Sequence, residues 1–195
     1  MRLFLLPCIL VARLTLAGPA LAAKATFQLK SRITYPPEMG EVRCYDITSS
    51  LGQFTFRPPA DWWLEVKAKA CQFTLHSPKD DAHVEVRLAG VNSALSPKPD
   101  HDALRRQVLE RYRGARVIEQ FPVFTSVSQG QAFAMVWNPA KGVRTAIRLA
   151  LVPCPGGTLE FCLTAAPDAI ESHRHVFSAL LTSFCEVVPK GKEEG

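Results

Sequence analysis

The residues with the most chemical potential lie close together, in the stretch 72–88. QFTLH (72–76) and HVEVRL (83–88) alternate polar and apolar residues as half-buried strands do. SPKDD (77–81) between them is made of turn formers, so the stretch predicts a hairpin. Phe73 and Leu75 share one face of the first strand, and Val84, Val86 and Leu88 one face of the second. The opposite, polar face carries His76 on the first strand and His83 and Glu85 on the second, with Asp80 and Asp81 at the turn. Imidazole and carboxylate are ligands for zinc and similar ions, so His76, His83 and Glu85 form a candidate metal set. A plain solvated strand face is the other use of the same residues.

Other polar clusters carry less. His173 and His175 are two apart on a predicted helix and point to different sides, which does not suit a shared metal. His173 falls between Ile170 and Phe177 on the apolar stripe and reads as a core-edge histidine with a hydrogen-bond partner. Asp100-His101-Asp102 invites an acid–base reading, but carboxylates are favoured at a helix N-terminus without any catalytic role. The chain contains no GxSxG, HExxH, P-loop or dinucleotide fingerprint, and Gly156-Gly157 marks a turn. No cofactor is expected. Trp62 and Trp63 are adjacent, so one is expected to face inward and one outward. An exposed tryptophan anchors partners well, which makes this pair the candidate partner-binding residues.

The first 23 residues, MRLFLLPCILVARLTLAGPALAA, read as a secretory signal peptide. Arg2 supplies the positive start, Leu3 to Ala12 the apolar run, and Ala20-Leu21-Ala22 the small residues before a cleavage point. That run is shorter than the roughly 20 apolar residues that span a bilayer. Arg13 interrupts the pattern, and an uncleaved amphipathic anchor is the alternative. Removing Arg2 and Arg13 reduces 23 basic residues to 21 against 18 acidic, a net charge of about +3 rather than +5. The basic residues are scattered, with no aromatic interleaving, so no nucleic-acid surface is expected. Export, to the periplasm or beyond the cell, makes disulfides plausible among Cys44, Cys71, Cys154, Cys162 and Cys185, an odd number with no CxxC. Cys154 and Cys162 flank a PGG turn and are the expected bridge; small buried apolar cysteines are the alternative.

These residues are positioned by an α+β arrangement. A first strand is expected within 24–36, then a polar, turn-rich loop over 36–52. QFTF (53–56) is a strand stopped by Pro58-Pro59, and Asp61 caps a short turn carrying Trp62, Trp63 and Val66. After the hairpin and the loop NSALSPKPD, a helix runs between Asp100 as N-cap and Gly114 as C-cap, with Leu104, Val108 and Tyr112 in one stripe. Four strands follow, ARVIEQFPVFTSV, QAFAMVW, VRTAIRLALV and TLEFCLTA, joined by links short enough to force an antiparallel meander. In the third, Ile147, Leu149 and Leu151 share a face and Arg144 and Arg148 point away. A final helix, Asp168 to about Cys185, opens on an Asp168–Glu171 capping box. Its stripe of Ile170, Phe177, Leu180, Leu181 and Phe184 is expected on the apolar face of the meander, contributing on the order of 10 kcal/mol. The chain thus divides into a signal (1–23), an N-terminal strand and loop (24–52), one α+β domain (53–188) and a polar tail (189–195).

The aromatic strand running into proline and tryptophan (FTFRPPADWW), the long meander and the helix ending LLTSF together resemble the PsbP-like group of α/β/α sandwich domains, over about residues 50–186. That group is named for an extrinsic lumenal subunit of photosystem II, and its fold relatives include nuclear Ran-binding factors. The resemblance carries no shared catalytic motif and implies a non-enzymatic binding or assembly role. Together with the signal, it makes an exported, non-catalytic binding or assembly protein of the cell envelope the expected function, with an envelope protein as partner. The alternative is an extracytoplasmic metal- or ligand-binding enzyme working through the 72–88 hairpin.

Overall fold

The computed structural model describes residues 27–38, 40–91, 101–140 and 143–187. The expected signal (1–23), the expected loop NSALSPKPD with Asp100 as N-cap, and the expected tail (189–195) lie outside the described residues. The chain runs β1 (Gln28–Thr34), β2 (Val42–Ser49), β3 (Gly52–Phe56), β4 (Trp63–Lys67), a 3-10 turn (Ala68–Ala70), β5 (Gln72–His76) and β6 (His83–Gly90). Then follow α1 (His101–Arg111), β7 (Arg116–Phe124), β8 (Gln129–Ala140), β9 (Val143–Cys154), β10 (Gly157–Ala165), α2 (Arg174–Ser183) and β11 (Cys185–Glu186). Every strand pair is antiparallel. One sheet has the order β1-β2-β3-β11, the other β4-β5-β6-β10-β9-β8-β7. The architecture is α+β with strand predominating.

The expected meander is β7-β8-β9-β10, and the expected hairpin β5-β6 extends it through β10. Three elements differ from the sequence reading. The segment read as a loop contains β2, because VRCYDITS is rich in β-branched and aromatic residues once the turn formers of 36–41 are passed. Asp61 does not cap a helical turn: its φ of 63° is left-handed, outside the extended backbone an N-cap adopts, and the chain reverses there into β4. The last helix starts at Arg174, not Asp168. Residues 167–173 form turns, and Glu171 reaches Arg148 at 2.6 Å instead of closing a capping box.

The seven-stranded sheet has an apolar area on each face, and its strands alternate between two cores. Ile147, Leu149 and Leu151 of β9 pack with Phe133, Met135 and α1 residues Leu104 and Val108. Ala146, Ala150 and Val152 face the other way, into a core containing Phe161, Leu163, Phe177, Leu180, Leu181 and the small sheet's Ile47, Phe54 and Phe56. The stripe of α2 therefore lies on the face opposite to Ile147, Leu149 and Leu151, and α1 occupies the face predicted for it. Short Ala146 and Ala150 on the α2 side are matched by the bulk of five phenylalanines, Phe54, Phe56, Phe73, Phe161 and Phe184, linked by ring contacts at 4.8–5.7 Å. Arg148 points away from Ile147, Leu149 and Leu151 as expected, and it is buried on the α2 face, over the Phe121 ring and against Glu171.

Candidate functional site

The α1-side face of the seven-stranded sheet is apolar over β7–β9, beneath α1, and polar over β4, β5, β6 and the adjoining β10. Strand register arranges the polar half in rows. Trp63 lies opposite His76, His76 opposite His83, and His83 opposite Thr164. The next row is Glu65, Thr74, Glu85 and Cys162, and the third Lys67, Gln72, Arg87 and Glu160.

In the first row the rings form a ladder. The Trp63 indole stacks on His76 with centroids 3.8 Å apart and planes 10° from parallel, and His83 follows at 5.9 Å from His76. Glu65 holds the other edge of His76, with Oε2 3.3 Å from Nε2, and Lys67 lies 3.8 Å from Glu65. A carboxylate only accepts, so His76 Nε2 carries a proton. His83 Nδ1 donates to the Asp81 carbonyl at 3.1 Å. Trp63 remains 55% exposed although one ring face is covered by His76. It stands on an edge strand, so its other ring face looks outward past the sheet.

The predicted metal set is not assembled. Glu85 faces Thr74 and Cys162 rather than His76, Glu65 of a strand not foreseen takes the His76 ring, and His83 is turned to its own hairpin. Among the described residues no group of three His, Cys, Asp or Glu side chains is placed to hold a metal ion. The predicted bridge is not formed either. Cys154 lies opposite Gly157 and Cys162 opposite Leu149, so the two are far apart along the β9–β10 ladder and on opposite faces. All five described cysteines are free. Cys162 is enclosed between the Tyr112 hydroxyl at 3.6 Å and Thr164 Oγ1 at 3.7 Å. Burial pushes its thiol up, and also pushes up the Tyr112 phenol. At Cys154 burial, reinforced by Glu186, pushes the thiol up to about 11. A nucleophilic cysteine needs a thiolate, so neither residue suits that role.

Helix α1 is clamped beside this face by Arg111, whose guanidinium donates two hydrogen bonds to Glu160 at 2.7 and 3.2 Å. Trp62, adjacent to the exposed Trp63, is half-buried against the main core and meets His173 edge-to-face at 5.5 Å. His173 is buried and donates from Nε2 to Asp80 at 2.7 Å, tying the hairpin turn to the start of α2. His175 is exposed.

The hydrogen bond from His173, helped by Ser77 and the Ala82 amide, holds the Asp80 carboxyl below its ordinary value of 3.8. A depressed carboxyl contributes stability above its unfolded value and loses it as pH falls through the folded one. Wild-type stability therefore declines below about pH 4 partly through Asp80. Asp80→Asn is expected to be less stable at pH 7 and to converge on wild type in acid, as read by denaturant unfolding across pH 2–7.

No protein-family model and no curated protein matches the sequence. Among solved structures, cyanobacterial PsbP (CyanoP) from Synechocystis superposes with a TM-score of 0.52 at 14% identity, over 88% of this chain and 99% of that one. The fold is PsbP-like. A protein of unknown function from Pseudomonas aeruginosa, PA94, matches at a TM-score of 0.46 and 15% identity, over 71% of this chain and 92% of that one. On the PsbP-like frame, the polar rows and the Trp63 ladder sit at the β4 end of the large sheet, and α1 covers the other end. No described helix is long and apolar enough to cross a membrane. The sequence reading missed Glu65 and the α1 residue Arg111, and took Tyr112 only as part of the apolar stripe. The alternation in WLEVK, with Trp63, Glu65 and Lys67 on one side, is the signal that would have found the first of them.

Proposed function

We propose that this chain is an exported, non-catalytic binding or assembly protein of the cell envelope that meets its partner through the face around Trp63. The observation that carries the reading is an indole that is exposed yet already fixed, stacked on His76 while Glu65 holds the imidazole. An aromatic anchor held in place before binding loses little conformational freedom on association, which is the economy expected of a docking residue. Residues 1–23 support export.

The test is cell fractionation followed by crosslinking of the native envelope, with wild type and Trp63→Ala compared. The mature chain, without residues 1–23, is expected in the extracytoplasmic fraction, crosslinked to an envelope component. Trp63→Ala should weaken that association about 30-fold, the loss of a typical hot spot, while costing only about 1 kcal/mol of stability through the lost stack. A cytoplasmic protein that keeps its first 23 residues, or an adduct indifferent to Trp63, would overturn the reading.

A further inference from the structure

We propose that strand β4 is an acceptor edge: it takes an extended segment of a partner protein as an eighth strand of the large sheet. The proposal rests on the reading of the Trp63 face as the binding face and names the mode of binding there.

Sheet edges are dangerous to leave open, and proteins blunt them with bulges, proline, like charges or extreme shortness. Of the four sheet edges among the described residues, two are blunted by shape and a third carries basic residues alone. Edge β7 carries a register shift between Val117 and Glu119 and has Pro122 within it. Edge β11 is two residues long. Edge β1 carries two basic residues, Lys30 and Arg32, on one side, with Arg32 paired to Asp46 of β2 at 2.9 Å. Edge β4 has no proline and pairs with β5 in unbroken register from Trp63 to Lys67. It also carries an exposed large hydrophobic residue on each face, Trp63 on one and Val66, 44% exposed, on the other. Apolar side chains on both sides of an open edge are what an internal strand looks like when its neighbour is missing.

The side chains also specify the neighbour. Along one face β4 reads Trp63, Glu65, Lys67. An antiparallel strand complementary to it places an acid opposite Lys67, a base opposite Glu65 and an aromatic residue opposite Trp63, which reads Glu-x-Lys-x-Phe from its own N-terminus. The aromatic residue would stack on the open indole face and continue the ladder from His83 through His76 and Trp63. The residues between, over Leu64 and Val66, are best β-branched. A second copy of this chain fits poorly: antiparallel pairing of two β4 strands centred on Glu65 sets two carboxylates face to face, and pairing centred on Val66, which matches Glu65 with Lys67, runs Trp63 past the end of the partner strand and leaves the indole unmatched. The occupant is therefore a different chain, recognised by strand addition in which main-chain hydrogen bonds supply affinity and alternate side chains supply specificity.

The experiment uses the whole chain and a synthetic nonapeptide with the core Glu-Val-Lys-Val-Phe, and measures amide hydrogen exchange and affinity. Saturable binding is expected, with slowed exchange at the outward-pointing amides within Trp63–Lys67. A control peptide with Glu and Lys interchanged should bind about 10-fold more weakly, and so should Val66→Lys and Trp63→Ala with the original peptide. Absence of saturable binding by both peptides, protection on β7 or β1 in place of β4, or concentration-dependent protection of β4 by the protein alone would each overturn strand addition. Envelope capture through Trp63 without β4 protection would remove this proposal and leave the envelope reading intact. Peptide binding with β4 protection in a chain that is not exported would do the reverse.

Discussion

Phe56→Ala should cost about 3–5 kcal/mol of folding stability, the range for truncating a fully buried aromatic ring. In a domain of this size that lowers the melting temperature by roughly 10 °C. The magnitude follows from what the ring touches. Phe56 stacks on Phe73 at 4.8 Å, Tyr45 at 5.5 Å and Phe184 at 5.7 Å, all within 24° of parallel, and Phe184 meets the edge of Phe161 at 5.1 Å. These rings come from β3, β5, β2, β10 and the residue that ends α2. Deleting the central one removes ring contacts to three other parts of the chain that cannot all close over one void, because each is fixed in its own ladder or at the end of the helix. Guanidinium unfolding followed by fluorescence measures the loss. A cost under about 1 kcal/mol would mean that the aromatic stack does not join the two sheets.

The second large effect is electrostatic. Glu160 on β10 has a side chain only 6% exposed, and the Arg111 guanidinium reaches both its oxygens. Arg111→Met would strip that buried carboxylate of both charge-assisted hydrogen bonds, at a cost of about 3 kcal/mol near neutral pH, the low end for breaking such a pair because Arg111 itself is partly open to water and Arg87 lies opposite Glu160 on the neighbouring strand. Adding Glu160→Gln removes the charge and should restore most of the loss at pH 7. A double-mutant cycle on denaturation free energies reads the coupling, and an Arg111→Met penalty that persists with Glu160→Gln would assign the effect to lost packing of the arginine stem.

Where the chain alternates strictly, local pattern was enough to read the fold. QFTLH, HVEVRL and the four strands of the meander are strands in the structure, and Leu104 and Val108 face the core as their four-residue spacing requires. What local pattern does not carry is which of two apolar faces a helix takes. Ile147, Leu149 and Leu151 form the more obvious stripe, yet α2 lies on Ala146, Ala150 and Val152, because the aromatic residues that fill that side come from β3, β5 and β10, far off in sequence. Arg148 points away from that stripe, as its parity requires, but its burial follows from the position of Glu171, which local pattern does not give. At the candidate site, His76 and His83 were correctly set side by side, since they belong to one hairpin. The third position went wrong because Glu85 is local and Glu65, which holds His76, arrives from a strand hidden behind the turn-like run PPAD. Cys154 and Cys162 are close in sequence and separated by strand parity, which a short loop between them conceals.

The small sheet is finished by residues made at opposite times. Local hairpins build β1, β2 and β3, but the remaining edge of β3 is satisfied by β11, where Cys185 and Glu186 pair with Thr55 and Phe54, and the Val187 amide donates to Gln53. Ser183 adds a hydroxyl bridge to the backbone of Arg57, 126 residues earlier. A polypeptide synthesised from its N-terminus therefore exposes the β3 edge, with Phe54 and Phe56 behind it, for nearly the whole of its production. Closure of this sheet is among the least local events in the fold and belongs late in the folding sequence. Residues 183–187 act as a clasp, and a nascent chain lacking them holds its most aromatic strand open to any neighbour.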